Sequence, residues 1–452
     1  MDYYKKLGTL AATNNTIRQE QYQKYKVKRG LRNSDGSGVL VGLTTVSSVI
    51  GYEKIDEEIV PMDGRLYYRG LDVKDFISGH EDEQRFGFEE AIYLLLFGQL
   101  PKGDELQLFR AELNEMMLLP INFARDVLQT FRTPDIMNAL SRSVLTLYSS
   151  DEEADNLMLT NQIRQGMNLA AKMISLVPYA YYSIQQAFHG KSLIIHQPDP
   201  NLSFAENFLH LLRTSSEFTD LEAKTLDTAL VLHADHGGGN NSTFTARVVS
   251  STLTDFYSAM AASLGSLRGP LHGGANVKAI LLMQDLAKNV SGASDEQGIK
   301  DYLWKVLHGK AFDLSGKIYG IGHAVYTKSD PRAVILKKYA ERMAKEKGVE
   351  EDFALLDAVE RIAPELLKTF KNNPDLVVSA NVDFYSGFIY QCLDIPQIVF
   401  TPIFAMARMA GWSAHRIELL SNDNRIMRPA YKSLTHRSKY ISLNERISDP
   451  DI

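Results

Sequence analysis

Three histidines of this chain each lie among two or more glycines, an arrangement typical of a ring that another group must approach closely. His272 lies in "GPLHGG" (269–274), and a helix-like stretch follows it. The positive end of that helix would disfavour protonation, so the imidazole would stay neutral. A neutral imidazole can donate a hydrogen bond to a carbonyl oxygen that becomes negative during a reaction. A tight turn that happens to contain a histidine explains these residues equally well.

A second histidine site is "LHADHGGGN" (232–240), where a predicted helix runs into glycines. His233 and His236 are three residues apart and would share one face of a helix. They could be paired donors at a cleft or a zinc pair. The zinc interpretation lacks the glutamate of an H-E-x-x-H helix and a third ligand. From this stretch alone, capping of the helix C-terminus is the favoured interpretation.

Two further stretches carry a cation and a carboxylate. In "YGIGHAVYTKSDPR" (319–332), His323 follows two glycines, and Arg332 falls in the first turn of the next predicted helix. A guanidinium near exposed N–H groups suits a carboxylate, although it could also be a solvated side chain. In "SANVDFYSGF" (379–388), Asp383 precedes a predicted cap, Ser386. It is either an ordinary turn residue or, among apolar neighbours, a general base.

Helix signals dominate the elements that must position these side chains. Thr133 is predicted as an N-cap, and the segment from Thr219 begins with a capping box. Asp330 is predicted to cap a helix that ends at Gly348. The best strand signals are 38–51 and 375–380, and neither opens an alternating β/α series. The sequence therefore predicts an all-α protein.

Composition excludes several classes of function. The formal net charge is −6 over 452 residues, so no global basic field points to nucleic acid. Cys392 is the single cysteine, which excludes an internal disulfide, and its apolar surroundings predict a buried thiol. The motifs "GKS" (190–192) and "GIGHAV" (320–325) lack the glycines of nucleotide-binding loops. We find no signal peptide and no apolar run that could span a membrane, and we expect a cytoplasmic protein.

Five motifs occur together in a specific order. They are "LHADHGGGNNSTFTAR", "GPLHGGAN", "GIGHAVY" with "DPR", "NVDFYSG" and "IMRPAY". In this order and at these separations, the sequence resembles the citrate synthase family over roughly residues 50–435. Each motif is weak alone, but none of the single-motif alternatives explains the order.

The resemblance implies an all-α homodimer in which each subunit has two domains. A large domain would comprise 1–275 and 390–452, and a smaller helical domain would comprise 276–389. The active site would lie in the cleft between them, which is a usual place for a ligand. Residues 1–50 lie almost entirely outside the resemblance. They are an N-terminal arm of unknown role, which could serve dimer contacts.

The resemblance also implies a role for individual residues in condensing acetyl-CoA with oxaloacetate and hydrolysing citryl-CoA to citrate and CoA. The expected catalytic residues are Asp383 as the carbon base, His272 as donor to the thioester oxygen and His323 as the acid for the ketone oxygen. The expected oxaloacetate-binding residues are His236 (rather than His233), Arg332, Arg408 and Arg428, the last supplied by the partner subunit.

The expected CoA contacts are the backbone of Ile318, Tyr319, Gly320, Ile321 and Gly322, together with Lys328. At the position after "HAVY" the family often carries a basic residue, where this chain has Thr327 and then Lys328. The resemblance implies no cofactor and no metal, with acetyl-CoA and oxaloacetate as substrates in the tricarboxylic acid cycle.

Three alternative functions remain open on the sequence. A 2-methylcitrate synthase would use propionyl-CoA through the same residues, because one methylene changes selectivity by only about 1–3 kcal/mol. A catalytically inactive helical binding protein is less consistent with intact His272, His323 and Asp383. A metal hydrolase would use His233 and His236.

Overall fold

A long helix, Phe400–Leu420, lies at the centre of the core because it is apolar on nearly every side. Three of its polar side chains, Arg408, His415 and Arg416, are nevertheless completely buried. This helix packs against the 31-residue helix Leu159–His189. Burying cations and an imidazole in a helix of this kind is costly unless each finds a partner. The helix is therefore the first place to look for a functional site.

The computed structural model describes residues 2–33, 36–56, 58–422 and 425–446. Within these residues it contains seventeen α-helices and three strands, and the predicted all-α class is confirmed. The helices are α1 (Asp2–Asn15), α2 (Gln19–Lys24), α3 (Val73–Asp82), α4 (Phe88–Phe97), α5 (Gly103–Met116), α6 (Ile136–Leu147), α7 (Leu159–His189), α8 (Phe204–Leu212), α9 (Asp220–His233), α10 (Asn241–Ser250), α11 (Phe256–Arg268), α12 (Ala275–Ala287), α13 (Glu296–Leu307), α14 (Pro331–Lys347), α15 (Glu350–Phe370), α16 (Val382–Cys392) and α17 (Phe400–Leu420). The strands are β1 (Ser47–Ile55), β2 (Glu58–Tyr68) and β3 (Leu71–Asp72).

The three strands form one antiparallel sheet in the order β1–β2–β3. The predicted strand at 38–51 is correct only for its last five residues, 47–51, and the 375–380 segment is not a strand. That segment ends in a single bridge between Ala380 and Ile321. The sequence analysis missed β2 because Pro61 and Gly64 interrupt its pattern. Of these segments only 375–380 has its backbone partner far away in the chain, whereas β1 and β2 are adjacent and pair with each other.

Most helix boundaries follow local capping signals. The capping box from Thr219 to Glu222 begins α9, and Asp330 caps α14, which ends at Gly348 in the left-handed conformation. The prediction for α6 was wrong, because the N-cap is Asp135 rather than Thr133. The Asp135 side chain accepts a hydrogen bond from the Asn138 amide, and this bond fixes the first turn.

Helices α12 to α16 pack mainly on one another, through the pairs α12–α16, α13–α15, α14–α15 and α14–α16. Helix α14 also contacts α9 and β2, and α12 contacts α17. Helices α12 to α16 therefore form one group, which meets the rest of the chain at α9, β2 and α17. None of the helices in the described ranges has the length and hydrophobicity needed to cross a bilayer.

Gly411 of α17 lies where an added methyl group would collide with neighbouring atoms and lower the stability of the fold. A Cβ there would collide with Asp235 Oδ1 and the carbonyl oxygen of Ala234. Because one obstacle is backbone, we expect Gly411→Ala to lower the free energy of unfolding by about 1–3 kcal/mol. The matched control is Gly265→Ala in α11, where a Cβ would meet open space. There alanine should stabilise the helix by up to about 1 kcal/mol. Denaturant unfolding of both variants measures the difference, and equal effects would contradict the packing argument.

Candidate active site

The loop after α9 separates the two histidines that the sequence placed on one helical face. Helix α9 ends at His233, so the shared-face prediction was wrong, and His236 lies in the loop that follows. His233 Nε2 lies 2.9 Å from the Tyr390 hydroxyl, and its carbonyl accepts a hydrogen bond from Arg408 Nε at 2.7 Å. His233 therefore anchors Arg408, while His236 is free to serve another purpose.

His236 is buried beside two other rings. Its ring centroid lies 5.2 Å from that of His323 and 5.5 Å from that of Tyr326. Its Nε2 atom is buried and has no hydrogen-bond partner among the described residues. Burial, and then the nearby charge of Arg332, hold the pKa of His236 well below its usual value. This imidazole is neutral at pH 7 and has an unused polar atom.

His272 lies just before α12, as predicted, and its Nε2 is 3.1 Å from the Ser242 hydroxyl. Burial and then the charge of Arg408 lower the pKa of His272 to about 4. The expected neutral ring is supported, but burial rather than the helix terminus is the leading cause. Gly273 has a different role from the one predicted, because a Cβ there would collide with the Leu267 carbonyl. The glycine allows close packing against the preceding helix.

His323 is held in one tautomer by the backbone. Its Nδ1 accepts hydrogen bonds from the amides of Val325 and Tyr326, both at 3.0 Å. Nδ1 therefore carries no proton, and the neutral ring has its proton on Nε2. Burial, followed by the charge of Arg332, lowers the pKa of His323 to about 4. The ring stacks on Tyr326 with centroids 4.8 Å apart.

Arg332 lies in the first turn of α14, as predicted, and forms a buried ion pair with Asp330. Its Nε and Nη2 donate to the two carboxylate oxygens of Asp330 at 3.0 and 2.7 Å. Asp330 also caps α14 and accepts a hydrogen bond from the Val382 amide at 3.2 Å. This one carboxylate connects the start of α14 to the start of α16.

Arg408 is the most exceptional side chain of the group. It is completely buried, and its Nε donates to His233. Its Nη1 and Nη2 have no hydrogen-bond partner among the described residues. Its guanidinium lies 4.6 Å above the ring of Phe404. Burial lowers the pKa of Arg408 to about 10, so it remains a cation at pH 7. Two unpaired N–H edges on a buried cation suit a carboxylate ligand.

Asp383 lies in the first turn of α16, one residue after Val382. Ser386 is inside this helix, so its prediction as a cap was wrong; Asn381 caps α16 by accepting from the Asp383 amide at 3.0 Å. Burial raises the pKa of Asp383 to about 6, with the charge of Asp330 adding to the rise and Arg332 opposing it. A carboxylate with such a pKa can exchange a proton near neutral pH.

The predicted CoA loop, 318–322, is fastened to the segment that begins α16. The Gly322 amide donates to Ser379 at 2.8 Å, and the Asn381 amide donates to Gly320 at 2.8 Å. These bonds bring His323 and Asp383 into the same region. Lys328 is exposed, and the hydroxyl of its neighbour Thr327 donates to the Gly51 carbonyl at 2.7 Å.

Six of the seven predicted catalytic and oxaloacetate-binding residues are brought together, and Arg428 is not among them. Arg428 is exposed in the C-terminal segment, where the neighbouring Met427 amide donates to Ser251 Oγ at 3.1 Å. The charge of Arg332 lowers the pKa values of His236, His323 and Asp383, and the charge of Arg408 lowers those of His236, His272 and Asp383, so each arginine lies near three of these groups. Within a single chain, Arg428 remains outside this group.

The sequence analysis did not assign a site role to Ser242, Tyr326 or Asp330. Ser242 follows His236 by six residues but contacts His272 instead. Tyr326 stacks on His323, and its buried hydroxyl has no partner among the described residues. Asp330 was recognised only as a helix cap, which is half of its role. A local sequence signal existed for Asp330 alone.

The described residues contain no group of three or more histidine, cysteine, aspartate or glutamate side chains that could hold a metal ion. His233 and His236, the pair considered for zinc, have different environments. His233 lies beside Tyr390 with its ring 4.6 Å from Phe404, whereas His236 lies beside His323. The two imidazoles do not form a joint binding site.

Comparison with known proteins places the chain among enzymes of one kind. A family model described as citrate synthase, C-terminal domain, matches residues 35–430, a range that contains the candidate site. The citrate synthase of Deinococcus radiodurans is 36% identical over 385 residues, which are 85% of this chain and 93% of that protein. The 2-methylcitrate synthase of Shewanella oneidensis is 35% identical over 365 residues, which are 81% and 87% of the two chains.

Solved structures agree with these sequence matches. A ternary complex of carboxymethyl coenzyme A and oxaloacetate with citrate synthase from Thermoplasma acidophilum has a TM-score of 0.76 and is 25% identical, covering 93% of this chain and 99% of that one. Citrate synthase from Pyrobaculum aerophilum has a TM-score of 0.73 and is 30% identical, covering 90% and 94%. The similarity therefore extends over the whole helical fold.

The raised pKa of Asp383 predicts that this residue costs stability at neutral pH. The ordinary pKa is 3.8, and the folded-state value is about 6. Between these values the folded protein binds more protons than the unfolded chain, so stability falls as pH rises. We expect Asp383→Asn to raise the free energy of unfolding by up to about 3 kcal/mol at pH 8. The gain should shrink below pH 6 and vanish near pH 4. Denaturant titrations across this range measure it, and a gain independent of pH would contradict the prediction.

Proposed function

The chain belongs to the citrate synthase family, and from that premise we propose how its buried residues carry out the reaction. The enzyme is an acyltransferase that condenses acetyl-CoA with oxaloacetate and hydrolyses citryl-CoA to citrate and CoA. The observation that carries the assignment of the site is the Arg408 guanidinium, buried with two unpaired N–H edges. It lies near two neutral histidines, His236 and His272, and near Asp383, whose pKa is raised.

Oxaloacetate carries two carboxylates, and we assign one to each arginine. Arg408 offers Nη1 and Nη2, which could bind a carboxylate in the bidentate manner that suits a guanidinium. Asp330 already occupies Nε and Nη2 of Arg332, which leaves the Nη1 edge for the second carboxylate. The buried Asp330 holds Arg332 in a single orientation, so little side-chain freedom would be lost on binding.

Asp383 is the proposed base that removes a proton from the methyl carbon of acetyl-CoA. His272 would donate a hydrogen bond to the thioester oxygen while negative charge develops there. This role requires the ring proton on Nδ1. The Ser242 hydroxyl lies 3.1 Å from Nε2 but donates its single proton to Asn240 Oδ1 at 2.8 Å, so it must turn that proton from Asn240 to His272 to satisfy the requirement. Because His272 is neutral, it would donate a hydrogen bond to the thioester oxygen without giving up a proton to Asp383.

The new carbon–carbon bond forms when the nucleophilic carbon attacks the ketone of oxaloacetate. His236 would polarise the ketone through its unpartnered Nε2. His323 would donate its Nε2 proton to the ketone oxygen. The two backbone amides at Nδ1 make this ring a better acid, because they stabilise the negative charge left on it. Water then cleaves the thioester of citryl-CoA to give citrate and CoA.

The packing of α12 to α16 mainly on one another supports the proposed division into a large domain and a smaller domain, 276–389, with site residues on both sides. His236, His272 and Arg408 belong to the first, and His323, Arg332 and Asp383 to the second. Closure of one part on the other would complete the site and exclude water until condensation is finished.

A second copy of the chain is the proposed partner. Tyr431 and Tyr440 of the C-terminal segment are 93% and 85% exposed, and Leu271 beside His272 is 93% exposed. Apolar surface of this kind suits burial in an oligomer. We propose that a homodimer forms and that the partner subunit's C-terminal segment delivers Arg428 to the site.

Acyl-CoA is the second proposed ligand, bound by the backbone of 318–322 with Lys328 near its phosphates. We propose that the reaction needs no cofactor beyond this substrate. A cytoplasmic location and a place in the tricarboxylic acid cycle complete the proposal. The N-terminal helices α1 and α2 lie outside the argument for the site.

Release of CoA in the presence of oxaloacetate tests the acyl specificity. We expect kcat/KM to be higher for acetyl-CoA than for propionyl-CoA by about 10- to 200-fold, the effect of one methylene in an apolar pocket. Steady-state assays with both thioesters measure it, and assays without oxaloacetate provide the background rate. Preference for propionyl-CoA would instead support the 2-methylcitrate synthase alternative.

Mixing two inactive variants tests whether Arg428 acts across the dimer. Asp383→Asn should lose about 10²–10⁴-fold in kcat while still binding oxaloacetate, because it lacks the base. Arg428→Ala should weaken oxaloacetate binding in a folded dimer. If Arg428 enters the partner's site, a heterodimer has one site with both defects and one with neither. Activity should therefore reappear when subunits exchange.

The control for this experiment is mixing each variant with itself under the same conditions. Recovery should approach one working site per heterodimer, and heterodimers must be demonstrated independently, for example by mass-tagged subunits. No recovery in a sample that contains heterodimers would assign Arg428 to its own subunit, and the shared-site proposal would be wrong.

A further inference from the structure

A buried carboxylate, Asp235, holds the loop that carries His236. Asp235 is completely buried and immediately precedes His236. Its Oδ2 accepts hydrogen bonds from the Ser47 hydroxyl, from the Gly237 amide at 2.9 Å and from His415 Nε2 at 3.2 Å. The carboxylate thus bonds to the backbone on the far side of His236. The orientation of the Asp235 carboxylate therefore depends directly on the path of this loop.

His415 of α17 connects Asp235 to an ion pair. Its Nδ1 accepts a hydrogen bond from Arg247 Nη1 at 3.0 Å, so its proton is on Nε2 and points to Asp235. Arg247 pairs with Glu418 at 2.7 Å. We call Asp235, His415, Arg247 and Glu418 the Asp235 network. Arg247 fixes the tautomer of His415, and that tautomer in turn supplies a donor to Asp235.

The Asp235 network also reaches the segment that precedes β1. The Thr45 amide donates to Glu418 at 2.5 Å, and Arg247 Nη2 donates to the Leu43 carbonyl at 3.2 Å. These contacts give a role to the end of the N-terminal arm, which the sequence left unassigned. The segment closes the outer end of a network whose inner end is the His236 loop.

Asp235 is in addition the counter-charge for the buried Arg408. Its charge raises the pKa of Arg408 against the effect of burial, and His415, followed by Arg408, holds the pKa of Asp235 well below its usual value against burial. Gly411 has no side chain, which gives the Asp235 carboxylate room beside α17. The arginine that awaits a substrate carboxylate therefore lies near a fixed negative charge.

We propose that Asp235 and His415, supported by Arg247 and Glu418, are positioning residues that fix His236 against the ketone of oxaloacetate. The proposal rests on the proposed role of His236. A role in stability alone is a weak explanation, because buried ionic groups can often be replaced by apolar residues of similar size without loss of stability. The Asp235 network instead holds the backbone on both sides of His236, at Asp235 itself and at the Gly237 amide. Small displacements of His236 would affect the chemistry.

Two substitutions at His415 separate positioning from packing. His415→Gln keeps an amide donor for Asp235 and a carbonyl acceptor for Arg247. His415→Leu fills a similar volume and has neither group. We expect the leucine variant to lose about 10- to 100-fold in kcat with an unchanged KM for acetyl-CoA, and the glutamine variant to stay within about threefold of the wild-type enzyme. Equal kcat values for the two variants, or a normal kcat for leucine, would overturn the proposal.

Infrared spectroscopy of bound oxaloacetate, labelled with ¹³C at the ketone, reports polarisation directly. The ketone stretching band should move towards that of free oxaloacetate in His415→Leu and remain near the wild-type position in His415→Gln. His236→Asn is the reference for complete loss of the polarising group. If its band moves while that of His415→Leu does not, the Asp235 network has no positioning role. If the His236→Asn band stays at the wild-type position, the proposed role of His236 is itself wrong, and the inference fails with it.

Circular dichroism and thermal unfolding establish that each variant is folded. Should His415→Leu fail to fold, Ser47→Ala is the second test, because it removes one of the three donors to Asp235 and leaves the others. It should lower kcat by about three- to tenfold and move the ketone band in the same direction. A Ser47→Ala enzyme with normal kcat and an unshifted band would overturn the proposal.

Discussion

The buried guanidinium of Arg408 is the constraint on which the site depends. A cation inside an apolar helix is costly unless it is paired, and Nη1 and Nη2 of Arg408 have no partner among the described residues. The His233 carbonyl, the Phe404 ring and the charge of Asp235 offset part of this cost. The N–H groups on Nη1 and Nη2 that remain without a partner are available to a ligand. Binding a carboxylate would complete the hydrogen bonding of Arg408, which is a direct physical reason for an anionic substrate.

The same burial determines the proton chemistry. Removing water lowers the pKa of an imidazole and raises that of a carboxyl group, because both charged forms lose hydration. His236, His272 and His323 are therefore neutral donors at pH 7, and Asp383 has a pKa of about 6. Neutral donors and an adjustable base are what enolisation of a thioester requires. Burial in one shared environment, rather than a separate interaction at each residue, is the main cause of the shifted pKa values of these four groups.

Hydrogen bonds between backbone segments convert this environment into a definite geometry. The loop 318–322 is tied to the residues that begin α16, and two amides fix the tautomer of His323. Asp330 joins α14 to α16 while it orients Arg332. The loop after α9 is fixed in a corresponding way by Asp235. The loop after α9 continues directly from a helix, and the loop 318–322 is bonded to the residues that begin α16, so rigid elements support the groups that would touch substrate.

The sequence by itself determined the helical class, because capping residues such as Thr219 and Asp330 act on their own helix within a few residues. The order of the histidine motifs, Asp383 and the arginines also identified the family and the candidate residues. Local patterns misplaced Ser386 as a cap and put His233 and His236 on one helical face, since a few residues of context do not determine where a helix ends. Only the tertiary structure could reveal Ser242 beside His272, or Asp235 bonded to His415, because these partners are separated by 30 and 180 residues. Such contacts, and the burial that shifts each pKa, exist only after distant helices have packed together.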